Sequence, residues 1–207
     1  RSALPPLDQT VLKRLLKDIK NRWTLMSDSA HAVSAHNRMK DHQTLSHFMR
    51  THHMNLAAYQ RIGRWMEQMF NKKLAAKAQL KVCLLGQFNT HWLKHMLMAE
   101  ACERNLWIEV IEAEYDQVLQ SSMQEIQADF VVCLPCSVKI QRMFLTQSQK
   151  LQVAVNQNID AKGSESLSAQ VLQQEVVFWQ SVWKNLQHNA KQAGYTQSII
   201  QVGHNIT

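Results

Sequence analysis

The strongest constraint on the fold is a change of pattern near residue 80. Before it, apolar residues recur at helical spacing and no alternating or continuous strand-like run occurs. At it, Lys81 leads into the apolar run Val82, Cys83, Leu84 and Leu85, which ends on Gly86. A helical pattern begins a few residues later. A short apolar run closed by glycine and followed by a helix is the signature of a buried parallel strand, a tight turn and a crossover helix. Ligands in open α/β sheets sit at the carboxyl ends of such strands. Residues 86–90 (Gly86, Gln87, Phe88, Asn89 and Thr90) are therefore where a site is expected.

On the N-terminal side, Pro5 and Pro6 precede a helix that Asp8 can cap. Leu12, Leu15, Leu16, Ile19, Trp23 and Met26 form its apolar stripe, and Lys13, Arg14, Lys17, Lys20 and Arg22 make its outer face basic. Further helices are expected over about residues 30–40 and 44–71, the latter burying Leu45, Phe48, Met49, Leu56, Tyr59, Ile62, Trp65, Met66 and Met69. Residues 1–75 thus form an all-helical segment. From residue 76 strands and helices alternate. Strands are expected at 81–85, 107–111, 130–134 and 198–202, with helices at 91–105 and within 112–127. The clearest helix is introduced by Gly163 and Ser164, carries Leu172, Val176, Trp179, Trp183, Leu186 and Ala190 on one face, and ends at Gly194 as a C′ residue. Residues 135–160 give no clear pattern. The expectation is a flavodoxin- or SGNH-like parallel sheet of at least four strands, in the order 2-1-3-4, between helices. The lack of a fifth strand and its helix leads us to expect that 76–207 is the incomplete α/β domain of a longer chain.

Hydrophobic content of 45% over 207 residues supports a sizeable core, and the net charge of +7 makes an acidic partner plausible. The cations are spread rather than blocked together, which weighs against nucleic acid; a nucleic-acid-binding helical domain rests on net charge alone. No apolar run reaches the ~18 residues a membrane helix needs. No signal-peptide pattern opens the chain, and four cysteines, three of them in apolar runs, suit a reduced, cytoplasmic setting.

The motifs 80–93, 106–120 and 128–135, that is LKVCLLGQFNTHWL, LWIEVIEAEYDQVLQ and ADFVVCLP, resemble the N-terminal SGNH-hydrolase-like part of FkbH-like proteins, which join such a domain to a HAD-type phosphatase. In that family the first strand typically runs into a Gly-Asn-Phe-Thr or Gly-Asn-Ser-Thr turn, here Gly86-Gln87-Phe88-Asn89-Thr90. The family's Tyr-x-Gln is matched by Tyr115-Asp116-Gln117, and its Asp-Val-Val strand by Asp129-Phe130-Val131-Val132. The resemblance covers roughly residues 40–205. It implies transfer of a glyceryl unit, from a phosphorylated three-carbon intermediate, onto an acyl carrier protein in polyketide-type biosynthesis. The partners it implies are that carrier, with its phosphopantetheine arm, and the phosphorylated substrate. Magnesium would belong only to the phosphatase domain, whose aspartate motif does not occur in these residues. A non-catalytic docking module for the carrier is the alternative reading.

SGNH esterases place serine where this chain has Phe88, so Ser-dependent hydrolysis is disfavoured. What remains is a turn whose backbone N–H groups, at a helix N-terminus, suit an anion, with Gln87, Asn89 and Thr90 able to add side-chain bonds. Asn89 or Thr90 capping the next helix is the simpler alternative. The ligand-binding candidates are these five turn residues together with Tyr115, Gln117, Cys136 and Asn205. Cys133 and Cys136 have redox or zinc spacing, but no second cysteine pair exists; Cys133 belongs to a buried strand, and a thiol role for Cys136 at the strand end is the sharper alternative. His91 and His95 stand one helical turn apart, as zinc ligands can. Sequence places no carboxylate or third histidine beside them, and no metal is expected. His31, His36, His42, His47, His52 and His53 read as solvent-facing, and the tryptophans mostly as core.

Overall fold

Asp8 opens the first element as expected: its carboxylate accepts from the N–H groups of Thr10 (2.7 Å) and Val11 (3.4 Å), capping α1 (Gln9–Leu25). The computed structural model describes residues 4–26, 31–72, 78–114, 117–155, 164–194 and 196–202. Their elements follow in the order α1, α2 (His31–Thr51), α3 (Leu56–Asn71), β1 (Leu80–Gly86), α4 (His91–Glu103), β2 (Ile108–Glu112), α5 (Val118–Ser122), β3 (Phe130–Leu134), α6 (Ser137–Val155), α7 (Ser164–Ala193) and β4 (Ser198–Gln201). The four strands form one all-parallel sheet in the order β2-β1-β3-β4, the order expected from sequence. β4 pairs with β3 in the register Phe130–Ser198 to Cys133–Gln201. Among the described residues no helix is long and apolar enough to cross a membrane.

The chain folds as two compact units whose boundaries fall inside the sheet. The first comprises Arg1–Val82 and Thr90–Glu112. Its core is aromatic. Trp23 lies 5.5 Å from Trp65 and 5.4 Å from Trp107, and Phe70 and His42 complete the group around Trp107. The Trp23 indole N–H donates to Asp41 at 2.9 Å, and Asp41 also receives Arg22, so a carboxylate enters the core with its charge partnered. Arg22 is thereby drawn out of the basic face that sequence assigns it to. His42 is buried against the edge of Trp107, 3.1 Å from Asn105 Oδ1, and not solvent-facing. Burial pushes its imidazole below the ordinary value.

The helix break falls at 52–55 rather than 41–43. α2 runs on to Thr51, His53 donates its backbone N–H to Pro5 O, and Asn55 caps α3 through Ala58 N (2.9 Å). A cap embedded in His-His-Met-Asn carries little sequence signal. α4 ends in a Schellman arrangement: Asn105 takes φ +60°, and Leu106 N–H reaches Ala101 O at 2.8 Å. Trp92, expected on the apolar side of α4, is exposed.

The second unit comprises Cys83–Asn89 and Ala113–Thr207. Leu84, Leu85, Val131 and Cys133 are fully buried sheet residues. α6 fills a segment that showed no pattern in sequence. Of the face expected on α7, Trp179, Leu186 and Ala190 are buried, but Leu172 and Val176 are exposed, and Val171, Glu175 and Val182 take the inner positions. Asn185 and Asn189 tie α7 to the α5 end through Ser122 Oγ (3.1 Å) and Ser122 O (3.0 Å). Gly194 closes the helix at φ +72°, the left-handed conformation a C′ glycine supplies.

Candidate functional site

The strand ends of the second unit carry most of the sequence-derived candidates. Gly86 and Gln87 are buried, Phe88 and Cys136 half-buried, and Asn89 exposed. Gln87 is the joint of this region. Its backbone N–H donates to Leu134 O (3.0 Å), and its side-chain carbonyl accepts Cys136 N–H (2.9 Å). Its amide nitrogen donates to Glu175 Oε1 (3.0 Å), which also accepts the Trp179 indole N–H at 2.7 Å. One side chain thus ties the exits of β1 and β3 to α7. This explains why Glu175 faces inward: its carboxylate receives two buried donors. Gln87 and Cys136, chosen separately from sequence, are in direct contact. Gln117 is exposed and starts α5 through its carbonyl, which accepts Ser121 N–H at 2.8 Å. Tyr115 and Asn205 lie outside the described residues. Thr90 belongs to the first unit, where its hydroxyl donates to Glu112 Oε1 (2.8 Å) and makes no side-chain cap on α4.

Burial pushes the thiols of Cys83, Cys102 and Cys133 up to about 12, which keeps them protonated and unreactive at neutral pH. All four cysteines are free thiols.

In the first unit, α1 and α3 border a groove of about 510 Å³. Lys13, Lys17 and Lys20 line it from α1, and Arg61 and Arg64 from α3; no carboxylate is among its lining residues. The groove floor includes Leu16 and Trp65. Sequence showed the α1 lysines as one face of a helix but could not show that two arginines from a helix about forty residues on would stand opposite them.

The same unit holds a polar cluster where α3 meets α4. Gly63 makes the approach possible: a Cβ built there would lie 2.0 Å from the His95 carbonyl oxygen. One turn further along α3, Glu67 Oε2 lies 2.8 Å from His95 Nε2, and its Oε1 lies 2.5 Å from Lys94 Nζ. His91 packs edge-on against His95 at 4.5 Å, with its Nδ1 3.2 Å from Glu112 Oε2. Burial alone would raise the Glu67 carboxyl; the bonds to His95 and Lys94 outweigh it and hold the group below its ordinary value. The structure therefore supplies the carboxylate that sequence could not place beside the two histidines.

No protein-family model, no curated protein and no solved structure matches this chain. What the fold and these sites define is a class: an α/β protein built on a four-stranded parallel sheet with a helical N-terminal segment.

Proposed function

We propose that this chain is the N-terminal docking module of an FkbH-like glyceryl-transfer protein, and that its α1–α3 groove receives an acidic acyl carrier protein. The observation that carries this reading is the groove itself. Five cationic side chains converge from two helices on one concavity, without an acidic residue in its lining. Such a surface favours a helix or loop rich in carboxylates, and the apolar floor at Leu16 and Trp65 gives that segment something to pack on. The carrier would be the acceptor of a glyceryl unit taken from a phosphorylated three-carbon donor.

The strand ends favour binding over hydrolysis. Phe88 stands where an SGNH esterase has its nucleophile, and the Gln87 side chain is occupied by Glu175 and the Cys136 amide. Residues 86–89 and Cys136 remain the place proposed for the pantetheine arm, with Cys136 half-buried at its edge.

Calorimetric titration of the chain with a phosphopantetheine-bearing acyl carrier protein, and in parallel with a DNA duplex, tests this. Binding of the carrier at low salt, weakened by the combined Lys13→Glu, Lys17→Glu and Arg64→Glu changes, is expected. Binding of the duplex alone would replace the reading with a nucleic-acid one.

A further inference from the structure

We infer that Glu67, His91 and His95 form a divalent-metal site, with zinc as the ion whose chemistry the donors fit. One ligand atom from each of the three lies within 4.8 Å of the others, a spread that a single ion can bridge with small side-chain adjustments. Two imidazoles and one carboxylate are borderline donors, suited to zinc or cobalt rather than to magnesium or calcium, which take oxygen sets. The histidines sit at i and i+4 at the start of α4, so the helix fixes their separation.

The surroundings match what metal-binding histidines need. Glu112 Oε2 lies 3.2 Å from His91 Nδ1, and the Thr90 hydroxyl donates to Glu112 Oε1 at 2.8 Å, so a carboxylate that is itself anchored stands behind this histidine. A carboxylate behind a ligating histidine sets its tautomer and strengthens it as a donor. Lys94 takes one oxygen of Glu67 and lies 3.7 Å from Glu112, leaving Glu67 Oε2 to face the histidines. Two carboxylates against one ammonium leave a net negative charge when the imidazoles are neutral, which favours a cation. His95 is 3% exposed while the His91 side chain is 60% exposed, so the site has a buried wall and an open mouth. Three protein ligands leave a fourth position for water.

The test is calorimetric titration of the intact, chelator-treated chain with zinc, together with the visible spectrum of its cobalt complex. One equivalent should bind, the cobalt form should show the intense bands of four-coordination, and zinc should raise the melting temperature. His91→Ala, at the open mouth, and Glu67→Gln should each weaken binding by at least about ten-fold while far-UV circular dichroism stays unchanged. Absence of binding at ~1 mM zinc, or wild-type binding in both folded variants, would overturn the site.

Discussion

Gly63→Ala is a substitution whose sign separates two physical effects. Helix propensity alone favours alanine by about 1 kcal/mol in a helix interior. Here the added methyl would stand 2.0 Å from the His95 carbonyl oxygen and 2.6 Å from its Cα, both backbone atoms that no rotamer change can move aside. α3 and α4 would have to separate, and the contacts that hold Glu67 on His95 would open with them. Overpacking of this kind costs about 1–3 kcal/mol and occasionally more, and an immovable partner places it at the upper end, so a net loss of about 2 kcal/mol is expected after the propensity gain. For a chain of this size that corresponds to a fall of about 4–8 °C in Tm. Thermal unfolding followed by circular dichroism reads it directly. A Tm equal to or above that of the parent would mean that helix propensity wins, and that the close approach of α3 to α4 is not what glycine provides.

Three further outcomes are expected. Gln87→Leu leaves the Cys136 N–H without its acceptor and takes one of two donors from Glu175, and should cost about 1–3 kcal/mol in urea unfolding; a midpoint within error of the parent would contradict the role of this joint. Stability should decline as pH falls below 6.5, because unfolded His42 takes up a proton that the folded, lowered imidazole does not; Glu67, whose folded value is lowered from 4.5, keeps its contribution above that pH and loses it on further acidification. His42→Gln should flatten the first of these slopes, and an unchanged urea midpoint profile in that variant would rule His42 out as its source. Finally, p-nitrophenyl acetate should be turned over no faster than in buffer, since Phe88 offers no nucleophile; turnover that disappears on changing residues 87–90 would refute this.

β1 and β3 were legible because each is a short apolar run with a clear stop: Gly86 at the end of β1, Pro135 after β3. The caps at Asp8 and Gly194 were legible for the same local reason. What escaped sequence reading depends on tertiary partners. Glu175 is buried with Gln87 and Trp179 donating to it, and it shares the inner face of α7 with Val171 and Val182, while Leu172 and Val176 are exposed. α6 gave no pattern, and among its described side chains Ile140 is the buried one. At the cluster, the His91–His95 spacing was visible, but Glu67 lies on another helix and meets them only through the Gly63 contact. The groove was half legible: Lys13, Lys17 and Lys20 share a face by helical periodicity, whereas Arg61 and Arg64 join them through packing.

The most direct test of carrier docking is the association rate of the chain with a phosphopantetheine-bearing acyl carrier protein, measured by stopped flow as salt rises from ~50 to ~300 mM. Over that range the screening length shrinks from above to below ~10 Å. Electrostatic docking in the α1–α3 groove requires the rate to fall several-fold with salt and to fall comparably at low salt in the Lys13→Glu, Lys17→Glu, Arg64→Glu variant, with dissociation changing less. An association rate unmoved by both salt and charge reversal would contradict it.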